Sequence, residues 1–250
     1  MKQAIITLLM SGIMTLAYGQ KSFILSHQDK KGFLMISAGS SIPMGRFASC
    51  LPTDTQAGMA SKGSTLNLSA GYRLLGPIGL MVRLDQQHNA IQTPALLTNL
   101  YQNGTDRWIA TAEDWLITTV MAGPYLSIPM SRFTLDMRLM AGQASTVLPS
   151  TTMSGNYGAV SVLMQTKGTH DKTLALGGGL SLRYRISPGL SLHLNGDYNH
   201  AQFTFNNLSS SAESINGRSE SSRYSSARTI YTINVSAGVA LLFGSSTRPF

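Results

Sequence analysis

A serine, a histidine and an aspartate alternate with apolar residues in the stretch LSLHLNGDYNH, residues 190–200. Ser191, His193 and Asp197 are the residue types of a nucleophile, a general base and an orienting acid, a set that serves acyl transfer when the side chains touch. Positions four apart on one strand are separated by about 13 Å, so His193 and Asp197 need partners from elsewhere to form a relay. An enzyme that hydrolyses or transfers lipid acyl groups is therefore one interpretation, and a structural role for these polar side chains is the favoured one.

A carboxylate and a guanidinium also lie two positions apart in a second apolar stretch, FTLDMRLMAG, residues 133–142. Every second residue from Phe133 is apolar, whereas Asp136 and Arg138 fall on the other set. Because a β-strand directs successive side chains to opposite faces, one face of this segment is apolar and the other carries charge. The same alternation recurs in residues 65–74, 78–86, 174–186, 190–200 and 231–243, and less regularly in 33–42 and 115–127. The pattern predicts eight strands.

The connections between these strands alternate between long and short. Pro and Gly, which favour tight turns, mark the short ones, of which LLGPIG (74–79) and ISPG (186–189) are examples. The long connections cover residues 44–63, 88–113, 143–172 and 205–228. This order is typical of an up-and-down meander with all of its long loops at one end.

The sequence also predicts the local structure of three segments within the long connections. TPALLTNLY (93–101) predicts a short helix, and the Ser-rich segment 205–228 predicts a solvated, mobile loop. GAVSVLMQT (158–166) could be a strand, either as an extension of a loop or as part of an extra hairpin in a ten-stranded barrel.

Composition narrows the class of protein. Charged residues make up 12% of the chain, about half of the roughly 25% usual in soluble domains. The net charge of +8 is spread over the chain rather than clustered, so nucleic acid is not an expected partner. The single Cys50 cannot form an internal disulfide, and no metal site or cofactor is expected.

The first residues indicate export. MKQAIITLLMSGIMTLAYGQ has a basic residue, an apolar stretch and then the small residues Ala17 and Gly19, as in a secretory signal peptide. The predicted organisation is a signal peptide at 1–19, an N-terminal periplasmic segment at 20–31 and a barrel domain at 32–250. No later apolar run is long enough for a transmembrane helix.

The alternating faces favour a membrane barrel over a soluble β-sandwich. Lys is nearly absent from the strands, and aromatic residues of the apolar face lie at strand ends, where amphipathic rings meet membrane interfaces. These interface aromatics are Tyr72, Phe133, Tyr184 and Phe243 near the short turns, and Tyr198 and Tyr231 towards the long loops. In lipid every backbone amide must be paired, so the sheet must close.

The polar face then points into the lumen, which in an eight-stranded barrel is just wide enough for side chains to fill. Unpaired charges there would be costly, so we expect a paired network. The inward glycines are expected to make room for the long Arg side chains; they are Gly71, Gly79, Gly123, Gly142, Gly177, Gly179 and Gly238. The expected luminal charge network consists of Arg73, Arg83, Asp85, Asp136, Arg138, Arg183, Arg185, His193 and Asp197. A narrow ion path lined by the same residues is the alternative.

With its signal peptide, SAGSSIPMGRFAS (37–49), AGPYLSIP (122–129) and its terminal strand, the chain resembles the small eight-stranded outer-membrane barrels of the OmpA/OmpX-like type, particularly those of Bacteroidetes. Like many of these, it ends in an aromatic residue, Phe250. The resemblance covers roughly residues 32–250 and implies an all-β, antiparallel, up-and-down transmembrane barrel in the outer membrane of a Gram-negative cell.

The expected role is non-enzymatic: membrane structure, or surface interaction through long extracellular loops. A small gated pore and a lipid-modifying enzyme are the alternatives. The expected partners are outer-membrane lipid, lipopolysaccharide and the barrel assembly machinery, with an extracellular ligand that the sequence does not identify, and the chain is expected to be a monomer. Arg218, Arg223 and Arg228 of the Ser-rich segment could bind lipopolysaccharide phosphates.

Overall fold

The computed structural model describes residues 30–51, 53–97, 108–157, 160–214 and 219–245. The predicted signal peptide, residues 20–29 and Phe250 lie outside these ranges. The first strand begins at Lys30 rather than at residue 32, so that Lys30 and Lys31 belong to the barrel.

Eleven strands are formed by the described residues. They are β1 (Lys30–Met44), β2 (Gly63–Leu75), β3 (Ile78–Asn89), β4 (Trp108–Ala112), β5 (Trp115–Met130), β6 (Phe133–Val147), β7 (Thr151–Tyr157), β8 (Val160–Thr166), β9 (His170–Ser187), β10 (Leu190–Ser214) and β11 (Ser219–Ser245). A 3-10 turn (Gly45–Phe47) follows β1, and a short helix α1 (Thr93–Leu97) follows β3. No described helix is long and apolar enough to cross a membrane.

Eight of these strands close into a ring in the order β1, β2, β3, β5, β6, β9, β10 and β11. All of the pairs are antiparallel, and β1 closes the ring on β11 from Lys30↔Ser245 to Met44↔Tyr231. The predicted fold class, an up-and-down antiparallel barrel of eight strands, is confirmed. The alternative of ten strands in the barrel is wrong, because β7 and β8 pair outside the ring.

The short connections lie at one end of the barrel, as predicted. Gly76, with a positive φ of 51°, and Pro77 join β2 to β3, while Pro188 and Gly189 join β9 to β10. Ser131, at a φ of 58°, and Arg132 join β5 to β6. We call this the short-turn end and the opposite one the long-loop end.

The prediction of a loop over residues 205–228 is wrong, because most of this segment is a continuation of β10 and β11. The two strands stay paired from Leu208↔Tyr224 to Glu213↔Ser219, with a register shift between Phe205 and Leu208 where Asn207 has a φ of 58°. Because serines occupy both faces here, the sequence shows no alternation of apolar and polar residues. The hairpin still forms, because its backbone hydrogen bonds do not require an apolar face.

The other two predictions for the long connections agree with the described residues. Residues 160–166 are strand β8, which forms a hairpin with β7 above the ring, in agreement with the loop extension considered from the sequence. Helix α1 forms within the predicted segment 93–101, of which residues 98–101 lie outside the described ranges.

Candidate functional site

The structure places the nine predicted luminal residues on the inner side of the ring, at two levels. Six are at most 4% exposed: Arg83, Asp85, Asp136, Arg138, His193 and Asp197. The other three, Arg73, Arg183 and Arg185, are partly exposed and lie towards the short-turn end. The alternating sequence positions them, because each occupies the inward phase of its strand.

Asp197 lies at the centre of the buried charges. One of its carboxylate oxygens accepts a hydrogen bond of 2.8 Å from Arg138 Nε and a second bond from the same guanidinium. Its other oxygen forms an ion pair with Arg83. Arg83 also contacts Asp85, with 2.8 Å between Nη2 and Oδ1. One carboxylate thus joins two arginines from different strands across the lumen.

A network of hydrogen-bonded hydroxyl and side-chain amide groups extends from this cluster towards β1 and β11. Arg138 donates to Ser181 Oγ, which lies 2.5 Å from Asn195 Oδ1. The amide nitrogen of Asn195 lies 3.2 Å from Ser37 Oγ and 3.3 Å from Ser236 Oγ. These bonds link strands around the ring and fill its cross-section with polar atoms.

A second ion pair lies nearer the short-turn end. Arg183 donates to both oxygens of Asp136, at 2.5 and 2.7 Å, and its guanidinium carbon lies 4.7 Å from the centre of the Phe33 ring. Arg138 and Asp136, which are close in sequence, therefore belong to separate pairs. Sequence reasoning identified the charged residues but could not assign these partners.

Gly179 makes room for the central cluster. A Cβ at this position would collide with Asp197 Oδ1 and lie 3.0 Å from Arg138 Nε. Gly71 and Gly79 differ, because a Cβ there would meet the rings of Phe33 and Tyr125. The expectation that inward glycines accommodate Arg is therefore right at residue 179 and wrong at 71 and 79.

Replacing Gly179 with alanine is expected to lower the free energy of unfolding by about 1–3 kcal/mol, as overpacking of a filled interior does. Gly196→Ala on the neighbouring strand is the control, because a Cβ there has no neighbour within 4 Å. Equilibrium unfolding in detergent micelles, followed by tryptophan fluorescence, measures both. Equal effects of the two substitutions would contradict the close packing inferred at Gly179.

Ser191 and His193 do not form a catalytic relay with Asp197. Both side chains are buried, and neither Ser191 Oγ nor the ring nitrogens of His193 have a hydrogen-bond partner among the described residues. Asp197 is instead engaged by Arg83 and Arg138. The arrangement supports pairing of charge in the lumen and offers no activated nucleophile at these positions.

An aromatic cluster fills the barrel at the long-loop end. The rings of Phe47 and Trp115 are 5.5 Å apart, those of Trp115 and Phe205 are 6.4 Å apart, and Phe203 stacks on Phe205 at 5.9 Å. Trp115 Nε1 donates to the carbonyl of Gly58 at 2.9 Å, which ties the loop after β1 to the cluster. Sequence analysis missed this cluster, although Phe203 and Phe205 continue the inward phase of Asp197 along β10.

The outer face of the ring is apolar over most of its height. We call the following outward side chains, which are between 41% and 72% exposed, the apolar belt: Leu34, Ile36, Leu66, Leu68, Leu80, Val82, Val120, Leu139, Leu180, Leu194, Val235 and Val239. Soluble monomers rarely expose contiguous apolar patches larger than a few hundred Å².

The six predicted interface aromatics lie on the outer side, at the two margins of this belt. Phe133 and Tyr184 are directly paired at the short-turn end, with ring centres 5.0 Å apart. Tyr72 and Phe243 lie on the two strands that flank Gly32, at the same end. Tyr198 and Tyr231 are 6.4 Å apart near the long-loop end.

Above the ring, four strand segments form a sheet that we call the outer sheet. It consists of residues 210–214 of β10, followed by β8, β7 and β4. Ser150 lies beside its base, where its amide donates to the Glu113 carboxylate at 3.3 Å. Hydrogen bonds from Ser150 lower the pKa of Glu113 below its usual value.

Comparisons with known proteins identify similar structures but no family. The chain matches no protein-family model and no curated protein. Neisserial surface protein A is 13% identical, with a TM-score of 0.46 over 85% of this chain and 97% of that one. The attachment invasion locus protein Ail of Yersinia pestis is 15% identical, with a TM-score of 0.42 over 84% and 99%. A major outer membrane protein from Thermus thermophilus is 14% identical, with a TM-score of 0.48 over 85% and 99%.

These similar structures come from outer-membrane proteins, the class that the sequence itself resembles. Because their sequence identity to this chain is low, the function of this chain is inferred from its own geometry. That geometry is a closed, eight-stranded, antiparallel barrel with paired charges and an aromatic cluster inside and an apolar belt outside.

Proposed function

We propose that the protein is an integral outer-membrane barrel that presents the outer sheet at the cell surface, in a structural or surface-interaction role without catalysis. The apolar belt is the observation that carries this proposal. It surrounds a lumen that holds the charged side chains, which is the reverse of the arrangement that water would stabilise.

The dimensions of the belt fit a bilayer. Phe243 lies twelve positions after Tyr231 on β11, which corresponds to about 40 Å along a strand and to about 30 Å across the membrane at a tilt near 40°. An apolar band of a transmembrane barrel is about 25 Å tall between its aromatic girdles. The two aromatic margins are therefore separated by the distance that two membrane interfaces require.

The filled lumen supports a barrel that does not conduct. The ion pairs of Arg83, Arg138 and Asp197 cross its middle, and the aromatic cluster of Phe47, Trp115 and Phe205 fills the long-loop end. An ion path would have to break both. The same buried pairs occupy the carboxylate that a Ser–His–Asp enzyme would need.

The outer sheet supports a surface interaction. Among the described strands β4 forms backbone pairs with β7 alone, and helix α1 contacts it. We propose that a partner strand bonds to the other edge of β4. Ile109 on β4 is 67% exposed. An extended segment of an extracellular protein is the kind of partner that such an edge accepts.

Contact with lipopolysaccharide is a further part of the proposal. Arg223 is exposed on the β10–β11 hairpin, eight positions beyond Tyr231 and therefore about 26 Å further along the strand, so its guanidinium could bind only phosphate groups that stand well above the membrane interface. Arg228 is less suited, since it donates to the carbonyl of Thr55 and is only partly exposed. Arg218 lies outside the described residues.

Labelling of intact cells tests the proposed presentation. In a Cys50→Ser background, Ser161→Cys on β8 is expected to react with a membrane-impermeant maleimide on intact cells. Ser187→Cys at the short-turn end is the matched control, because it is also exposed but should react only after the outer membrane is permeabilised. Labelling of residue 187 alone on intact cells would contradict the proposed orientation, and labelling of neither would contradict presentation at the surface.

A further inference from the structure

A layer of uncharged polar side chains lies in the lumen between the buried charges and the aromatic cluster. On β10, Asn199 follows Asp197 by two positions and precedes Phe203 by four. On β5, Thr119 follows Trp115 by four positions and lies opposite Asp85. We call this group the polar layer; its members, each at most 7% exposed, are Thr65, Thr119, Asn199, Thr232 and Asn234.

Six atoms of the polar layer have no hydrogen-bond partner within the described ranges. They are Thr65 Oγ1, Thr119 Oγ1, Asn199 Nδ2, Thr232 Oγ1, Asn234 Oδ1 and Asn234 Nδ2. Asn234 is the clearest case, because both polar atoms of its amide are orphaned and the residue is 0% exposed. Buried polar groups are nearly always hydrogen-bonded. The six atoms therefore indicate partners that the side chains and backbone around them do not supply.

The polar groups beside the layer are already bonded elsewhere. Ser41, which lies opposite Asn234 on β1, donates to Gln87 Oε1 at 3.3 Å and to Asn89 Oδ1 at 3.1 Å. Asn89 in turn donates to the carbonyl oxygens of Ser41 and Ser61. Pairing the orphaned atoms with these groups would break existing bonds, so a partner from outside the chain explains them better.

The facing wall of the barrel leaves room for a small partner. The inward positions of β6 and β9 at this level carry only small residues: Gly142, Ala144, Ala175 and Gly177. Met121 takes up part of the room, since a Cβ at Gly177 would lie 3.3 Å from its Sδ. The aromatic cluster closes the layer towards the long-loop end, and the ion pairs of Asp197 close it on the other side. A partner enclosed in this way must be small.

The partner must also be uncharged. The polar layer contains no charged residue, and the carboxylates of Asp85 and Asp197 beside it are bound by Arg83 and Arg138. The hydroxyl and amide groups of the layer need both donors and acceptors, and water supplies both. A buried water forms about three hydrogen bonds, so six orphaned atoms correspond to about two or three waters that also bond to one another.

We propose that the polar layer binds a cluster of about two or three ordered water molecules, which the aromatic cluster separates from bulk solvent at the long-loop end. The cluster would complete the hydrogen bonding of the upper lumen between its two filled levels. The site does not depend on the surface role proposed above, because it requires only the folded barrel.

Nuclear Overhauser effects between water and threonine methyl groups test this site. The full chain is deuterated, carries protonated threonine methyl groups and is folded in detergent micelles. The methyl groups of Thr65, Thr119 and Thr232 should show cross-peaks to water with the sign of a long-lived contact. Thr146 is the matched control, because it is also buried but donates to the Leu116 carbonyl at 2.9 Å. Cross-peaks at none of the three residues, or equally strong ones at Thr146, overturn the proposal.

Thr232→Val supplies a second test that does not use the water signal. If the hydroxyl is bonded to water, its loss should lower the folding equilibrium constant about threefold to tenfold, as loss of a hydrogen bond does. Thr146→Val, which breaks a bond to the backbone, should have an effect of similar size. A valine at position 232 that makes the barrel more stable would mean that the hydroxyl has no partner, and would overturn the assignment.

Trp115→Ala tests the separation from bulk solvent. Opening the aromatic cluster should shorten the residence time of the waters, measured as a changed ratio of laboratory-frame to rotating-frame Overhauser effects at the Thr232 methyl group. Phe205→Leu replaces this variant if it fails to fold. An unchanged ratio would contradict the role assigned to the aromatic cluster.

Discussion

Replacing Asp197 with alanine is expected to lower the free energy of unfolding by about 3–5 kcal/mol, the cost of removing one partner from a buried ion pair. Asp197 contacts both Arg83 and Arg138, all of which are buried. Arg83 keeps Asp85 as a partner, whereas Arg138 loses its only carboxylate among the described residues. The destabilisation therefore comes mainly from an uncompensated guanidinium at Arg138.

A second substitution distinguishes this explanation from a general loss of packing. Adding Arg138→Met to Asp197→Ala removes the orphaned charge, so the double variant should be more stable than Asp197→Ala alone. Denaturant titration in lipid vesicles gives the required cycle of free energies. Additive effects of the two substitutions would contradict a direct coupling between these side chains.

Asp136→Ala provides a comparison at the short-turn end. The side chain of its partner Arg183 is 11% exposed in the folded barrel, so water can reach the guanidinium after the carboxylate is removed. A smaller loss of stability than for Asp197→Ala is expected.

Replacing Leu194 with arginine is expected to destabilise the barrel in lipid by about 2–4 kcal/mol, as arginine near the middle of a bilayer does. Leu194 is 54% exposed on the outer side and pairs with Ala237, midway between Tyr231 and Phe243. A charged side chain at this level would have to enter hydrocarbon.

Gln202→Arg is the matched control for this substitution. Gln202 is exposed on the same face of the same strand, beyond Tyr198 towards the long-loop end. Arginine near or outside an interface costs about 0–1 kcal/mol, so the control should fold into vesicles nearly as well as the unsubstituted chain. A barrel surrounded by water would show no depth effect, with Leu194→Arg neutral and both variants alike.

Much of the barrel could be predicted from alternation alone. Asp136 and Arg138 share a face in FTLDMRLMAG because side chains reverse at every residue, and the structure places both inside the ring. The partners could not be predicted, since Asp136 bonds to Arg183 and Arg138 to Asp197. That choice depends on the stagger between strands, which one sequence does not reveal.

Alternation was least informative where both faces of a strand are polar. Residues 208–214 and 219–224 form a hairpin in which serines on both faces leave no apolar phase to recognise. In the aromatic cluster, alternation predicts the direction of the side chains but not their contacts. Phe203 and Phe205 were recognisable as inward by their phase, but their contact with Trp115 requires the loop after β1 to fold over the lumen.

The mobility in SDS gels of the protein from isolated outer membranes, with and without boiling, tests the membrane barrel most directly. A closed barrel whose backbone amides are all paired should stay folded in cold SDS and migrate differently after heating. The account predicts this heat-dependent shift in the outer-membrane fraction. A protein recovered from the soluble periplasm, with one mobility at both temperatures, would contradict it.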